Sequence, residues 1–281
     1  MVLEALLDAG HDVVGVVTRP PARRERRGAA VPTPVEAVAR SRGLAVAHEP
    51  GALLALGIDL GVVVAYGARL RPPVLGGLPL VNLHFSLLPR WRGATPVEHA
   101  ILAGDADTGV SVMEVVDELD AGPVYATERV AIGPDETVTA LRARLAEVGA
   151  RLLGSLLGAP GGLPMPVPQR GEVALAPRLT SADFFLPFAG PASYCARLVR
   201  LERAWTTMPD GARLGVLEAR AIPGVVPAGV PGTLDGTVVR CGDGALALAQ
   251  VRPAGRIAMD AAAWARGLHL PEPVVLGACR P

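Results

Sequence analysis

Asn82 and His84 stand two residues apart near the end of the apolar run 78–85. They lie within the segment Val-Asn-Leu-His-Phe-Ser-Leu-Leu-Pro-Arg-Trp-Arg-Gly at 81–93. In a strand, residues i and i+2 share one face, so the carboxamide and the imidazole would be presented together. Ligands of open α/β sheets bind beyond the carboxyl ends of the strands. An amide and an imidazole held together there could act on a carbonyl. The same pair could instead satisfy loop backbone, and spacing alone leaves both readings open. His11, His48, His99 and His269 fall outside any such constellation and read as surface or satisfied histidines. Cys195, Cys241 and Cys279 are scattered, forming neither a disulfide framework nor a zinc pattern, and no other residue cluster suggests a metal.

The elements that must position this pair alternate. A helix end at 3–9 precedes a Val-rich run at 12–17, of the kind buried on both faces in a parallel sheet. The stretch 34–42 reads as a helix with Thr33 as N-cap and Pro34 at its first position. Runs at 60–65 and 78–85 read as buried strands, 95–103 as a helix, 110–116 and 123–130 as two more strands in a hairpin, and 137–157 as a long amphipathic helix. Strands alternating with helices predict an α/β fold with a Rossmann-like, mostly parallel sheet. Residues 158–169 then carry four Pro and three Gly, which reads as a linker. Past about residue 184, short strands at 214–219, 237–241 and 245–251, separated by Gly and Pro, suggest a small β-barrel or sandwich. No internal repeat is visible.

Composition bounds the rest. The chain has 281 residues, half of them hydrophobic, enough for about two domains. All 27 cationic residues are Arg, which with the Ala, Gly and Pro richness reads as a genome-wide bias. The formal net charge is zero, so only a local basic cluster could speak for nucleic acid. The cysteine usage suits a reducing cytoplasm. The N-terminus lacks the basic region of a signal peptide, and the most apolar stretch, 51–66, is interrupted by Asp59 and several Gly, short of the roughly 20 residues that span a bilayer. A soluble cytoplasmic protein is expected.

The ordered combination Asn82-x-His84-x-Ser86-Leu87-Leu88-Pro89, Gly93, and Leu119-Asp120-Ala121-Gly122 resembles the methionyl-tRNA formyltransferase family. The resemblance runs along nearly the whole chain. It takes in 12–20, Pro32-Thr33-Pro34-Val35, Val63-Val64-Ala65-Tyr66-Gly67, Gly104-Asp105 and Thr108-Gly109. Near the end it takes in Pro231-Gly232-Thr233, Gly242-Asp243-Gly244 and Pro253-Ala254-Gly255.

The resemblance implies a Rossmann-like catalytic domain (1–165), a linker (166–185) and an OB-like barrel that contacts tRNA (186–281). It implies Asn82, His84 and Asp120 as the catalytic trio. It places Ser86, Leu87, Leu88, Pro89, Tyr66 and Gly67 against 10-formyltetrahydrofolate, the co-substrate, with no metal. The reaction it implies is formyl transfer to the α-amine of initiator methionyl-tRNA, by a monomer. Such transfer passes through a tetrahedral intermediate whose oxygen gains negative charge. Asn82 can donate to that oxygen at any pH, and His84 can donate to it or shuttle a proton. Asp120 can orient the imidazole and favour its charged form. Asp117 and Glu118 are the competing carboxylates. Asp120 is preferred because the Ala-Gly that follows it forms a tight turn able to aim a side chain.

Residues 19–28 hold Arg19, Arg23, Arg24, Arg26 and Arg27 against Glu25, a local charge of +4. The resemblance places a basic insertion for the tRNA acceptor stem here, and Arg suits phosphate. A solvated basic loop is the alternative. Trp91, between Arg90 and Arg92, either stacks on a ligand or packs the loop. Three departures from the family pattern stand out. Phe85 occupies a position where many relatives carry Gly, and the element after the linker is shortened to Arg203-Ala204-Trp205-Thr206. The family's first strand has no counterpart. The expectation is a truncated start, leaving a gap in the sheet beside the strand at 12–17. Rival readings are a folate-dependent formyltransferase for an amino-sugar nucleotide, glycinamide ribonucleotide or a peptide, and a catalytically inactive RNA-binding relative.

Overall fold

A computed structural model of the chain describes residues 1–23, 29–222, 227–268 and 273–278. It forms two compact units. The first comprises Met1–Pro96, Asp107–Ala131 and Arg142–Ala176; the second comprises Val97–Ala106, Ile132–Leu141 and Pro177–Pro281.

In chain order the elements that build or flank the first unit are α1 (Val2–Asp8), β1 (Gly15–Val17), β2 (Ala22–Arg23), β3 (Ala30–Val31), α2 (Pro34–Ser41), β4 (Ala45–Ala47), β5 (Gly61–Val64), the short α3 (Val74–Gly77), β6 (Leu80–His84), β7 (Arg92–Gly93), α4 (Pro96–Ala103), β8 (Asp107–Glu114), β9 (Val124–Ala131), α5 (Val138–Leu157) and β10 (Leu175–Ala176). Thr33 caps α2 as expected, its hydroxyl accepting from Glu36 N at 3.2 Å with Pro34 at the first helical position.

The strands of the α/β core fall into two pieces. β1 and β4 form a parallel pair. β5, β6, β8 and β9 form a second sheet in that order, with β5 and β6 parallel and the β8–β9 hairpin added antiparallel. Among the described residues no strand joins β1 to β5. Leu80, Val81, Leu83, Val110, Val112 and Met113 bury this second sheet, with Leu145 and Leu153 of α5 also in the core. The stretch expected as a linker from 166 is hydrogen-bonded into the first unit. Val167 and Val124 exchange two backbone bonds of 2.8 Å, and β10 pairs parallel with β7.

The second unit carries α6 (Ala192–Val199), β11 (Trp205–Thr207), β12 (Arg213–Ile222), β13 (Thr233–Asp235), β14 (Val238–Arg240), β15 (Ala245–Pro253), β16 (Met259–Asp260), α7 (Ala261–Arg266) and β17 (Val274–Val275). Its strands form one antiparallel sheet in the order β11-β12-β15-β14-β13-β17, with β16 on β15. Gly277 N donates to Thr207 O at 2.8 Å, linking the two ends of that path as a barrel does. Register shifts between Val216 and Ala219 in β12 bend the sheet. Leu214, Val216, Leu246 and Val251 fill the interior. Cys195 and Cys241 are buried free thiols, and the neighbouring Cys241 thiol together with burial pushes the Cys195 thiol up. Cys279 and His269 lie outside the described residues. Among the described residues no helix is long and apolar enough to cross a membrane, and no group of His, Cys, Asp or Glu is arranged to hold a metal.

Candidate active site

β6 is an inner strand, paired on both edges and buried at four of its five positions. Asn82 lies between Val63 and Met113, and His84 opposite Ser111. Asn82 is half-buried, and its carboxamide makes no hydrogen bond to any described residue, so its donor remains available. His84 is buried, at 6 % exposure. Its Nε2 lies 2.9 Å from the Trp91 carbonyl. A carbonyl only accepts, so Nε2 carries a proton, which leaves Nδ1 as the ring nitrogen able to take up or release one. That Nδ1 faces Asp120 Oδ2 at 3.7 Å.

β8 runs antiparallel to β6, so its end at Glu114 lies beside Val81, away from His84. The connection 115–123 returns along the sheet to bring Asp120 to the imidazole. Two glycines permit that return. At Gly122 a Cβ would stand on the Glu114 carbonyl, and at Gly93 (φ +129°) a Cβ would fall 2.5 Å from the Ala176 carbonyl. Gly93 N in turn donates to Asp120 Oδ2 at 2.8 Å. Of the three carboxylates on this loop, only Asp120 turns inward. Asp117 is 76 % exposed and pairs with Arg69, while Glu118 is 77 % exposed and pairs with Arg92. Asp120 itself is 12 % exposed.

The loop 85–93 is held from within. The Ser86 hydroxyl, fully buried, donates to Arg90 O at 2.6 Å. Ser111 Oγ donates to Ser86 O at 2.7 Å and accepts from Leu88 N at 3.3 Å. Leu87 and Leu88 are half-exposed and Pro89 buried, so the loop's contact surface is its leucine rim rather than the Ser86 hydroxyl. Trp91 has a left-handed backbone (φ +64°) that aims its carbonyl at His84, and the Arg90 guanidinium lies 4.3 Å from its ring centroid.

Tyr66 and Gly67 follow β5, the neighbour of β6, and a Cβ on Gly67 would lie 3.9 Å from the Arg19 guanidinium carbon. The two loops therefore adjoin. Arg19 and Arg23 are exposed, Arg23 in the β2–β3 ribbon; Arg24, Arg26 and Arg27 lie outside the described residues. The structure thus brings Asn82, His84 and Asp120 together on one face, with 86–89 beside them and Arg19 beside Gly67.

Sequence reasoning missed four contributors: the Trp91 carbonyl, Ser111, Arg92 and Gln169. Ser111 was findable in principle, as the polar residue interrupting the apolar run Val110-Ser111-Val112. Gln169 was not, because its partners lie 47 to 77 residues away.

The formyl transferase family model matches residues 1–157, and the model for the C-terminal domain of formyl transferases matches 178–269. A methionyl-tRNA formyltransferase of Methylobacterium sp. (strain 4-46) is 42 % identical over 95 % of this chain and 92 % of its own length. One from Symbiobacterium thermophilum is 41 % identical over 94 % of this chain and 88 % of its own length. Among solved structures, WlaRD, a sugar 3N-formyl transferase, shares the fold at a TM-score of 0.65 and 10 % identity, over 91 % of this chain and 94 % of that one. HypX from Aquifex aeolicus, solved with tetrahydrofolic acid, shares it at 0.57 and 17 % identity over 80 % of this chain; the chain spans 43 % of HypX's length. The chain belongs to the formyl transferase family, in the group whose named members are methionyl-tRNA formyltransferases.

Proposed function

We infer that the protein transfers the formyl group of 10-formyltetrahydrofolate to the α-amine of methionyl-tRNA. The observation that carries this is the meeting of Asn82, His84 and Asp120 on one face of β6, in a chain 42 % identical to a methionyl-tRNA formyltransferase over nearly its full length.

In this reading the folate lies along the leucine rim of 86–89 and the Tyr66–Gly67 loop, with its formyl carbon in front of β6. The neutral amine attacks that carbon, and the C=O π pair moves to oxygen. The Asn82 N–H, unspent within the described protein, donates to the oxygen as it becomes an oxyanion. The attacking nitrogen must shed a proton and the folate nitrogen must gain one as the C–N bond breaks. His84 can carry that proton only on Nδ1, since Nε2–H is committed to the Trp91 carbonyl. Asp120, beside Nδ1, stabilises the imidazolium formed in transit. The arginines of 19–27 supply phosphate contacts for the RNA.

The test is an assay with labelled formyl donor and three acceptors: methionyl-tRNA, free methionine and an amino-sugar nucleotide. Label passing to methionyl-tRNA at least tenfold faster than to the others supports the reading. Preferential labelling of the sugar nucleotide, or no transfer at all, overturns it.

A further inference from the structure

We propose that Gln169 is a positioning residue for formyl transfer, setting the Asp120 turn against His84. The proposal rests on the reading of Asp120 given above. It starts from a side chain whose hydrogen-bonding capacity is fully committed. The Gln169 amide nitrogen donates to Asp120 O and to Gly122 O, both at 2.8 Å. Its Oε1 accepts from Arg92 Nε at 3.1 Å and from Arg92 Nη2 at 2.8 Å. Two donors and two lone pairs are all a carboxamide has. No other side chain of this size donates twice on one edge and accepts twice on the other.

The groups it joins are the two turns that hold the acid. Asp120 has a left-handed backbone (φ +49°), a conformation uncommon for a residue with a side chain that persists where its surroundings enforce it. Gln169 grips the carbonyls on both sides of Ala121. Arg92, at its other edge, precedes Gly93, whose N–H holds the Asp120 carboxylate. A closed circuit results: Gln169 fixes the Asp120 backbone and is fixed by Arg92, and the residue after Arg92 fixes the Asp120 side chain. Gln169 can serve as the anchor because its own segment is tied down on both sides, by the Val167–Val124 exchange before it and the β10–β7 pairing after it. Ser86 and Ser111 hold the loop at 86–89 by separate bonds, so the folate-facing rim does not depend on this circuit.

A small displacement of a catalytic group can cost on the order of a hundredfold in rate. Gln169→Ala is therefore expected to lower kcat tenfold to a hundredfold, while KM for the folate donor stays within twofold. Gln169→Glu keeps the size and the acceptors but loses both donors and sets carboxylate oxygens against two carbonyls. It is expected to lose at least as much and guards against a packing defect in the alanine variant. The decisive measurement is non-additivity: in an Asp120→Asn background, Gln169→Ala should cost less than a further twofold. Wild-type kcat in both Gln169 variants overturns the proposal, as does a full additional loss in the Asp120→Asn background. If Asp120→Asn itself turns over normally, the reading of Asp120 has failed, and this proposal with it. If Asp120→Asn is crippled while the Gln169 variants are not, the proposal alone has failed.

Discussion

The strands of the two units manage their edges in opposite ways. In the second unit, β11 to β17 share one hydrogen-bonded path whose ends are linked by Gly277 N and Thr207 O. In the first, β1–β4 and β5–β6–β8–β9 are separate, and β1 and β5 each keep an edge without a strand partner among the described residues. The second unit thus draws its order from a ladder, in which each strand supports the next. The first unit orders its site by side chains bonded to turns: Ser86 to Arg90 O, Ser111 to Ser86 O, His84 to Trp91 O, Asp120 to Gly93 N. Single side chains should accordingly be decisive for activity in the first unit, and single packing residues decisive for stability in the second.

The strongest contrast is expected at the chemical pair. Asn82→Ala should reduce turnover by about a hundredfold or more, since a lost oxyanion donor costs about 3–4 kcal/mol in the transition state, and His84→Ala should reduce it by at least about a hundredfold through loss of the proton carrier. In Asn82→Ala, binding of the folate donor and the melting temperature should hardly move; His84→Ala also loses a buried bond to the Trp91 carbonyl, so its turnover is compared per folded molecule. Near-normal turnover in both variants at matched stability would remove the basis for the site.

In the second unit, Leu246→Ala is expected to cost about 2–5 kcal/mol of unfolding free energy, because the side chain is fully buried and the ladder around it cannot collapse into the cavity. Denaturant titration measures it. The folded fraction of this variant should retain its turnover. A loss well under 1 kcal/mol would show the second unit's interior to be more yielding than its continuous sheet implies.

How much of this was legible beforehand follows the range of the interactions. The Asn82–His84 spacing, the Thr33 cap on α2 and the β8–β9 hairpin are local, set within a few residues or by period-two alternation, and they emerge from sequence directly. The family pattern leads one to expect a gap beside the strand at 12–17, and among the described residues no strand joins β1 to β5. The inward turn of Asp120, against the exposure of Asp117 and Glu118, was anticipated from the Ala-Gly that follows it. What stayed hidden depends on distant partners or backbone shape. Nothing local marks Trp91 as left-handed, or its carbonyl as the partner of His84 Nε2. Pro and Gly between 158 and 169 mark irregular chain, and irregularity conceals that 167–176 is bonded to the turns of the site. Ser86 sits inside the motif that implies folate contact, yet its hydroxyl is used within the loop.

A third test concerns the basic segment, which the ladder-or-turn contrast leaves to surface electrostatics. Replacing Arg23, Arg24, Arg26 and Arg27 with Ala should weaken tRNA binding and flatten its salt dependence by roughly 0.7–0.9 in slope for each phosphate no longer neutralised. Folate affinity should be unchanged. An unaltered affinity and salt slope would make the segment a solvated surface.

The smallest effect asks whether the pieces of the first unit behave as separate cooperative blocks. α2 is tied to the β1–β4 pair through side chains. Thr33 Oγ1 accepts from Glu36 N and shares a 2.9 Å hydrogen bond with Thr18 Oγ1. Thr18 N extends the pair by donating to Ala47 O at 3.0 Å. Thr33→Ala removes the cap and leaves the buried Thr18 hydroxyl without that partner, for a loss of about 1 kcal/mol. One kilocalorie corresponds to about a fivefold rise in the open population. Amides of α2 and β1 should therefore exchange hydrogen about fivefold faster, and Thr33→Ser should restore most of the protection. Because no ladder bond connects β1 to β5 among the described residues, amides of β6 and β8 should be little affected, and those of β12 and β15 not at all. If exchange in β6 and β8 accelerates as much as in α2, the first unit opens as one body, and the division of its sheet has no energetic counterpart.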